Sequence, residues 1–114
     1  MKVRETIIQE GLLKLAIEGD LDASSALTMD EVIKSAYEKT YYQVLIDCRF
    51  LEYISSAGLG VFISNYDDFQ EKEGVFVFFA MKEAVYNVFE LLGLHNIFDI
   101  VKNETEAVKK VLLS

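Results

Sequence analysis

Two short apolar runs constrain this chain more than anything else in it. Residues 43–47 read Gln-Val-Leu-Ile-Asp and residues 75–80 read Val-Phe-Val-Phe-Phe-Ala. Each is too short for a buried helix, and its apolar residues are consecutive instead of alternate. That is the pattern of a strand covered on both faces. Such a strand needs helices above and below it, and segments of helical period flank both runs. Residues 25–39 place Ala26, Met29, Ile33, Ala36 and Tyr37 three and four apart. Residues 55–70 carry Leu59, Phe62, Ile63, Tyr66 and Phe69 on one stripe. A third helix is predicted over residues 82–92, stopped by Gly93. Asn103 with Glu106 three positions on starts a fourth over residues 104–112.

The chain opens differently. Residues 3–9 and 12–18 predict two strands joined at Glu10-Gly11, where glycine accepts a positive φ. The second alternates, with Leu13, Leu15 and Ile17 on one face and Lys14, Ala16 and Glu18 on the other. Gly19-Asp20 is expected to end it, and Ser24 or Ser25 to cap the first helix. Residues 48–54 read as a loop, and residues 97–101 as a short edge strand. The sum is an α/β fold over residues 1–114, a single domain: a mixed sheet with an opening hairpin and a parallel centre, packed with about four helices. Leu15, Ile17, Val44, Ile46, Phe62, Val77 and Phe89 are expected in one core.

Composition narrows the function. Of the 114 residues 52% are hydrophobic, enough for a real core. Nineteen acids against eleven Lys plus Arg leave a net charge of −8. That argues against nucleic acid, whose phosphates are met by Lys and Arg, and against an anionic membrane surface. The longest apolar run, residues 75–81, is far short of a membrane span. The first residues lack the apolar stretch of a signal peptide, so a cytoplasmic location is expected.

Few residues suggest chemistry. The single cysteine, Cys48, reads as a small buried hydrophobe with no histidine nearby in sequence to activate it. His95, the one histidine, leaves little for a His-ligated metal. Asp20 and Asp22 lie two apart between a strand and a helix; loop and capping roles compete there with an acid/base or metal pair. Ser55-Ser56-Ala57-Gly58-Leu59-Gly60 stands out. Two hydroxyls followed by small residues at a helix start form a bare surface, where a phosphate would face free N–H groups and the positive end of the helix dipole. Gly58 and Gly60 are expected to permit close approach of backbone or of a partner. On the second view Gly58→Val keeps the fold and weakens binding.

The stretch Phe50-Leu51-Glu52-Tyr53-Ile54-Ser55-Ser56-Ala57-Gly58-Leu59-Gly60-Val61-Phe62 resembles the signature of STAS domains of the bacterial anti-sigma-factor antagonist type. Glu18-Gly19-Asp20-Leu21-Asp22 resembles the segment before that family's first helix. Val88-Phe89-Glu90-Leu91-Leu92-Gly93-Leu94, followed by Ile97-Phe98-Asp99-Ile100, resembles its C-terminal helix and short strand.

The resemblance implies a binding switch, not an enzyme, and no cofactor. Unphosphorylated, such a protein binds an anti-sigma factor that is itself a serine kinase and so frees a sigma factor. The kinase phosphorylates one serine and weakens the complex; a PP2C-type phosphatase reverses this. By position the acceptor is Ser56, with Ser55 as the alternative because it stands where the family has Asp. The implied partner-binding face comprises Asp20, Asp22, Ser55, Ser56, Ala57, Gly58, Leu59 and Gly60, on a chain that is a monomer when free. A STAS scaffold or lipid-transport partner subunit without phosphorylation is the alternative. A small hydrolase with Ser56 as nucleophile would need His95 as its base.

Overall fold

The computed structural model describes residues 1–113. β1 (Lys2–Gln9) and β2 (Leu12–Leu21) form the opening hairpin, turning at Gly11 with φ +77°. α1 (Ala26–Glu38) leads to β3 (Gln43–Asp47), β4 (Leu51–Ile54) and α2 (Ser56–Glu71). β5 (Val75–Phe79), α3 (Glu83–Leu91), a 3-10 turn at Leu94–Asn96, β6 (Asp99–Val101) and α4 (Glu104–Leu112) complete it. The strand order is β1-β2-β3-β5-β6, with β4 paired to β2 alone. Among the described residues β1 pairs antiparallel with β2, and every other pairing is parallel. The mixed sheet with a parallel centre is therefore as expected.

The core is two clusters, one on each face of the sheet. Leu15, Ile17, Val44, Ile46, Phe62 and Phe89 share the larger one with residues of α1, α2 and α3. Val77 is equally buried but belongs to the second, with Leu12, Leu45, Phe79 and the α4 residues Ala107 and Val111. Successive strand residues point to opposite faces, so a strand apolar at every position feeds two cores at once.

Two other expectations are corrected. β2 does not end at Gly19-Asp20. Gly19 takes φ +93° and the strand continues to Leu21. The extra length pairs with β4, in the stretch expected to be loop: Gly19 lies opposite Leu51, Asp20 opposite Tyr53 and Leu21 opposite Ile54. The edge strand β6 shortens to three residues because a 3-10 turn takes up Leu94–Asn96 and Phe98 turns into the core.

Candidate functional site

The carbonyl oxygen of Leu21, last residue of β2, organises one end of the molecule. It accepts the amide N–H of Ser55 at 3.0 Å, which fixes the start of α2 against the end of β2. The glycine of the motif makes this approach possible. A Cβ on Gly58 would lie 2.6 Å from that carbonyl oxygen and 2.8 Å from Leu21 Cγ. Gly58 and Leu59 are buried, so they shape the site from beneath. The expectation that Gly58→Val spares the fold is thus overturned. The substitution is expected to cost about 1–3 kcal/mol, the usual range for overpacking, visible as a lowered urea midpoint. Unchanged stability would show that the α2 start is not held by this contact. Nothing lies within 4 Å of a Cβ on Gly60, which does leave room at the surface.

Ser55 is the N-cap of α2. Its backbone is extended, and its Oγ accepts the amide N–H of Gly58 at 3.3 Å. Ser56 is the first helical residue and is exposed, as is Ala57. The two serines therefore differ: one hydroxyl is half-buried and committed to the cap, the other faces solvent. No acidic residue occupies the first turn of α2. Its first amides have no intrahelical acceptor, so the local field favours an anion on Ser56.

The acids on the β2 side are arranged unequally. Asp20 is exposed beside Tyr53 in the β2–β4 register. Asp22 is engaged in its own turn: its carboxylate accepts the Ser24 hydroxyl at 2.6 Å and the Ser24 amide at 3.0 Å. Those hydrogen bonds hold its carboxyl below the ordinary carboxylate value. The Ser25 hydroxyl donates back to the Asp20 carbonyl oxygen and accepts the Asp22 amide. It makes no cap bond forward into α1, contrary to the capping role expected for it. The loop-and-turn reading of Asp22 is the one the geometry supports.

Three features of this end are not evident in the sequence. Phe50 and Tyr53 are each about half exposed, with the Arg49 guanidinium over the Phe50 ring. Lys82 forms an ion pair with Glu52. Asn65, buried in α2, donates to Asp30 Oδ1 of α1 at 2.8 Å and to the Val61 carbonyl oxygen at 2.7 Å. Lys34 Nζ completes this clamp at 2.8 Å from the same carboxylate. Lys34 and then Asn65 hold the Asp30 carboxyl below its ordinary value. Its contribution to stability is therefore complete above the unfolded-chain value near 3.8 and is lost as pH falls through the lower folded value. A carboxyl-detected NMR titration should place Asp30 below the ordinary aspartate value of 3.8; a midpoint at or above that value contradicts the clamp.

Neither Cys48 nor His95 hydrogen-bonds to either serine among the described residues. Cys48 is buried, and burial with Asp47 beside it pushes its thiol well above the ordinary value, as suits an inert core residue. His95 sits in the 3-10 turn against the Tyr86 ring.

The STAS domain model matches residues 4–107. The chain belongs to the STAS domain family. Among curated relatives of this STAS domain is the anti-sigma-B factor antagonist of Listeria monocytogenes, 27% identical over 94 residues, which are 82% of each chain. The fold matches the unphosphorylated form of the anti-sigma factor antagonist SpoIIAA with a TM-score of 0.86 at 16% identity, over 99% of this chain and 98% of that one. The Bacillus SpoIIAA structure in its phosphorylated form matches with a TM-score of 0.76 at 16% identity, over 96% and 99%. No helix among the described residues is long and apolar enough to cross a membrane.

Proposed function

We propose that this STAS domain is an anti-sigma-factor antagonist switched by phosphorylation of Ser56. The observation that carries the reading is the division of labour between the two serines. The Ser55 hydroxyl caps α2, whereas the Ser56 hydroxyl is exposed at the helix start beside Ala57. Unphosphorylated, the surface formed by Asp20, Ser56, Ala57 and Gly60, with Phe50 and Tyr53 beside it, binds an anti-sigma factor that is a serine kinase. Exposed aromatic rings next to small residues suit an interface whose energy is concentrated in a few anchors. Phosphate on Ser56 adds about −1.5 to −2 charge and bulk. The helix terminus accommodates it locally, while a partner packed against Ala57 and Gly60 does not. A PP2C-type phosphatase resets the switch. The protein acts by binding alone, as a monomer, in the cytoplasm.

Isolation from its own host, followed by mass spectrometry with site mapping, tests this reading. The expected species carries one phosphate on Ser56. Label on Ser55 overturns the residue assignment. A chain never phosphorylated under any growth condition and bound to membrane transport subunits points to the lipid-transport STAS alternative.

A further inference from the structure

β5 and β6 are parallel neighbours in the sheet, yet the helices that follow them lie on opposite faces. α3 packs through Val85 and Phe89 into the larger cluster, and α4 through Ala107 and Val111 into the other. The first turns of the two helices therefore part around the carboxyl ends of β5 and β6, the position at which open α/β sheets take up small ligands. A cleft of about 560 Å³ opens there, within the usual span of small-molecule sites. Met81, Tyr86, Ile100 and Val101 give it apolar walls, and the Tyr86 ring rests edge-on against His95. No residue of the Ser56 face lines it.

The charges in the cleft select the ligand. Glu83, in the first turn of α3, and Lys102, between β6 and α4, both line it. Neither forms an ion pair among the described residues, so opposite charges share one cleft without meeting. The third charged wall residue, Glu106, is committed to the start of α4. Its carboxylate accepts the Lys102 amide N–H at 3.1 Å, and its own amide donates to Asn103 Oδ1 at 2.9 Å. A ligand with one charge leaves either Glu83 or Lys102 unmatched, and a wholly apolar one leaves both. A small zwitterion with an apolar side chain matches both charges and the walls between them.

We propose that this cleft binds a free amino acid with an apolar side chain. Its ammonium meets the Glu83 carboxylate, and its carboxylate meets the Lys102 ammonium. Its side chain lies against Met81, Tyr86 and Ile100. The proposal goes beyond the Ser56 switch and holds whether or not that serine is phosphorylated.

The test titrates the full chain with L-phenylalanine and with L-leucine and follows the backbone amides by NMR. Shift changes should centre on the starts of α3 and α4. Hydrocinnamate, which lacks the ammonium, and phenethylamine, which lacks the carboxylate, should each bind about tenfold more weakly than phenylalanine. Glu83→Gln should weaken phenylalanine about tenfold and leave hydrocinnamate unchanged. Lys102→Met should weaken phenylalanine to a similar degree and leave phenethylamine unchanged. Both positions are exposed, so circular dichroism should stay native. Ser56→Asp should leave phenylalanine binding intact, which separates this cleft from the switch. No shift change with either amino acid at millimolar concentration, or changes centred elsewhere, overturns the proposal. So does an affinity that survives the loss of either ligand charge, or one that both variants retain.

Discussion

Phe62→Ala should remove about 3–5 kcal/mol of folding stability. Phe62 is fully buried where α2 crosses the sheet. Its ring meets Phe78 edge-on, with centroids 5.0 Å apart, and Phe76 at 5.9 Å. The substitution loses the burial of an aromatic side chain and two edge-to-face contacts, and it leaves a void between rings that themselves pack on Phe69, Phe89 and Phe98. Interlocked rings collapse poorly into a void, so the cost should fall in the upper part of the range. Against a typical total of about 5–15 kcal/mol, the variant would be close to unfolding at physiological temperature. Urea denaturation reads it as a drop in midpoint with an unchanged slope. A loss under about 1 kcal/mol would mean that α2 is not seated on β5 as described.

The second large effect is on binding. Phosphate on Ser56 should weaken the complex with the anti-sigma kinase more than a hundredfold, about 3 kcal/mol. The reasoning combines an exposed Ser56 hydroxyl, small neighbours at Ala57 and Gly60, and a chain that already carries −8. The fold should survive, because the amides at the α2 start and the helix dipole face the phosphate. Ser56→Ala should bind constitutively and resist phosphorylation. Ser56→Asp should bind more weakly than wild type but better than the phosphorylated form, since one carboxylate has less charge and much less bulk. Ser55→Ala should still accept phosphate, with some loss of helix stability from the missing cap.

The helices were legible because each carries a consistent helical period, and the central strands because each is a short unbroken apolar run. β4 was not. Its buried residues, Leu51 and Ile54, are three apart with Glu52 and Tyr53 exposed between them. No strand period describes that spacing; it follows from Glu52, the extra residue β4 carries where Gly19 and Asp20 pair with Leu51 and Tyr53. Ile63 joined the apolar stripe of α2 by period, yet it is exposed because nothing covers that flank. Periodicity reports which face is apolar and not whether the chain itself covers it. Asn65 reads as a surface residue until α1 brings Asp30 to it. At the site, the serine pair and the acids of β2 were visible as sequence. The different roles of the two hydroxyls, and the reason for Gly58, depend on the position of the Leu21 carbonyl, which only the β2–β4 pairing sets.

Titrating the anti-sigma kinase captured from the host with unphosphorylated and Ser56-phosphorylated protein tests the switch most directly. A hundredfold or greater loss of affinity on phosphorylation, with circular dichroism unchanged, is the predicted result. Equal affinity of the two forms would contradict it.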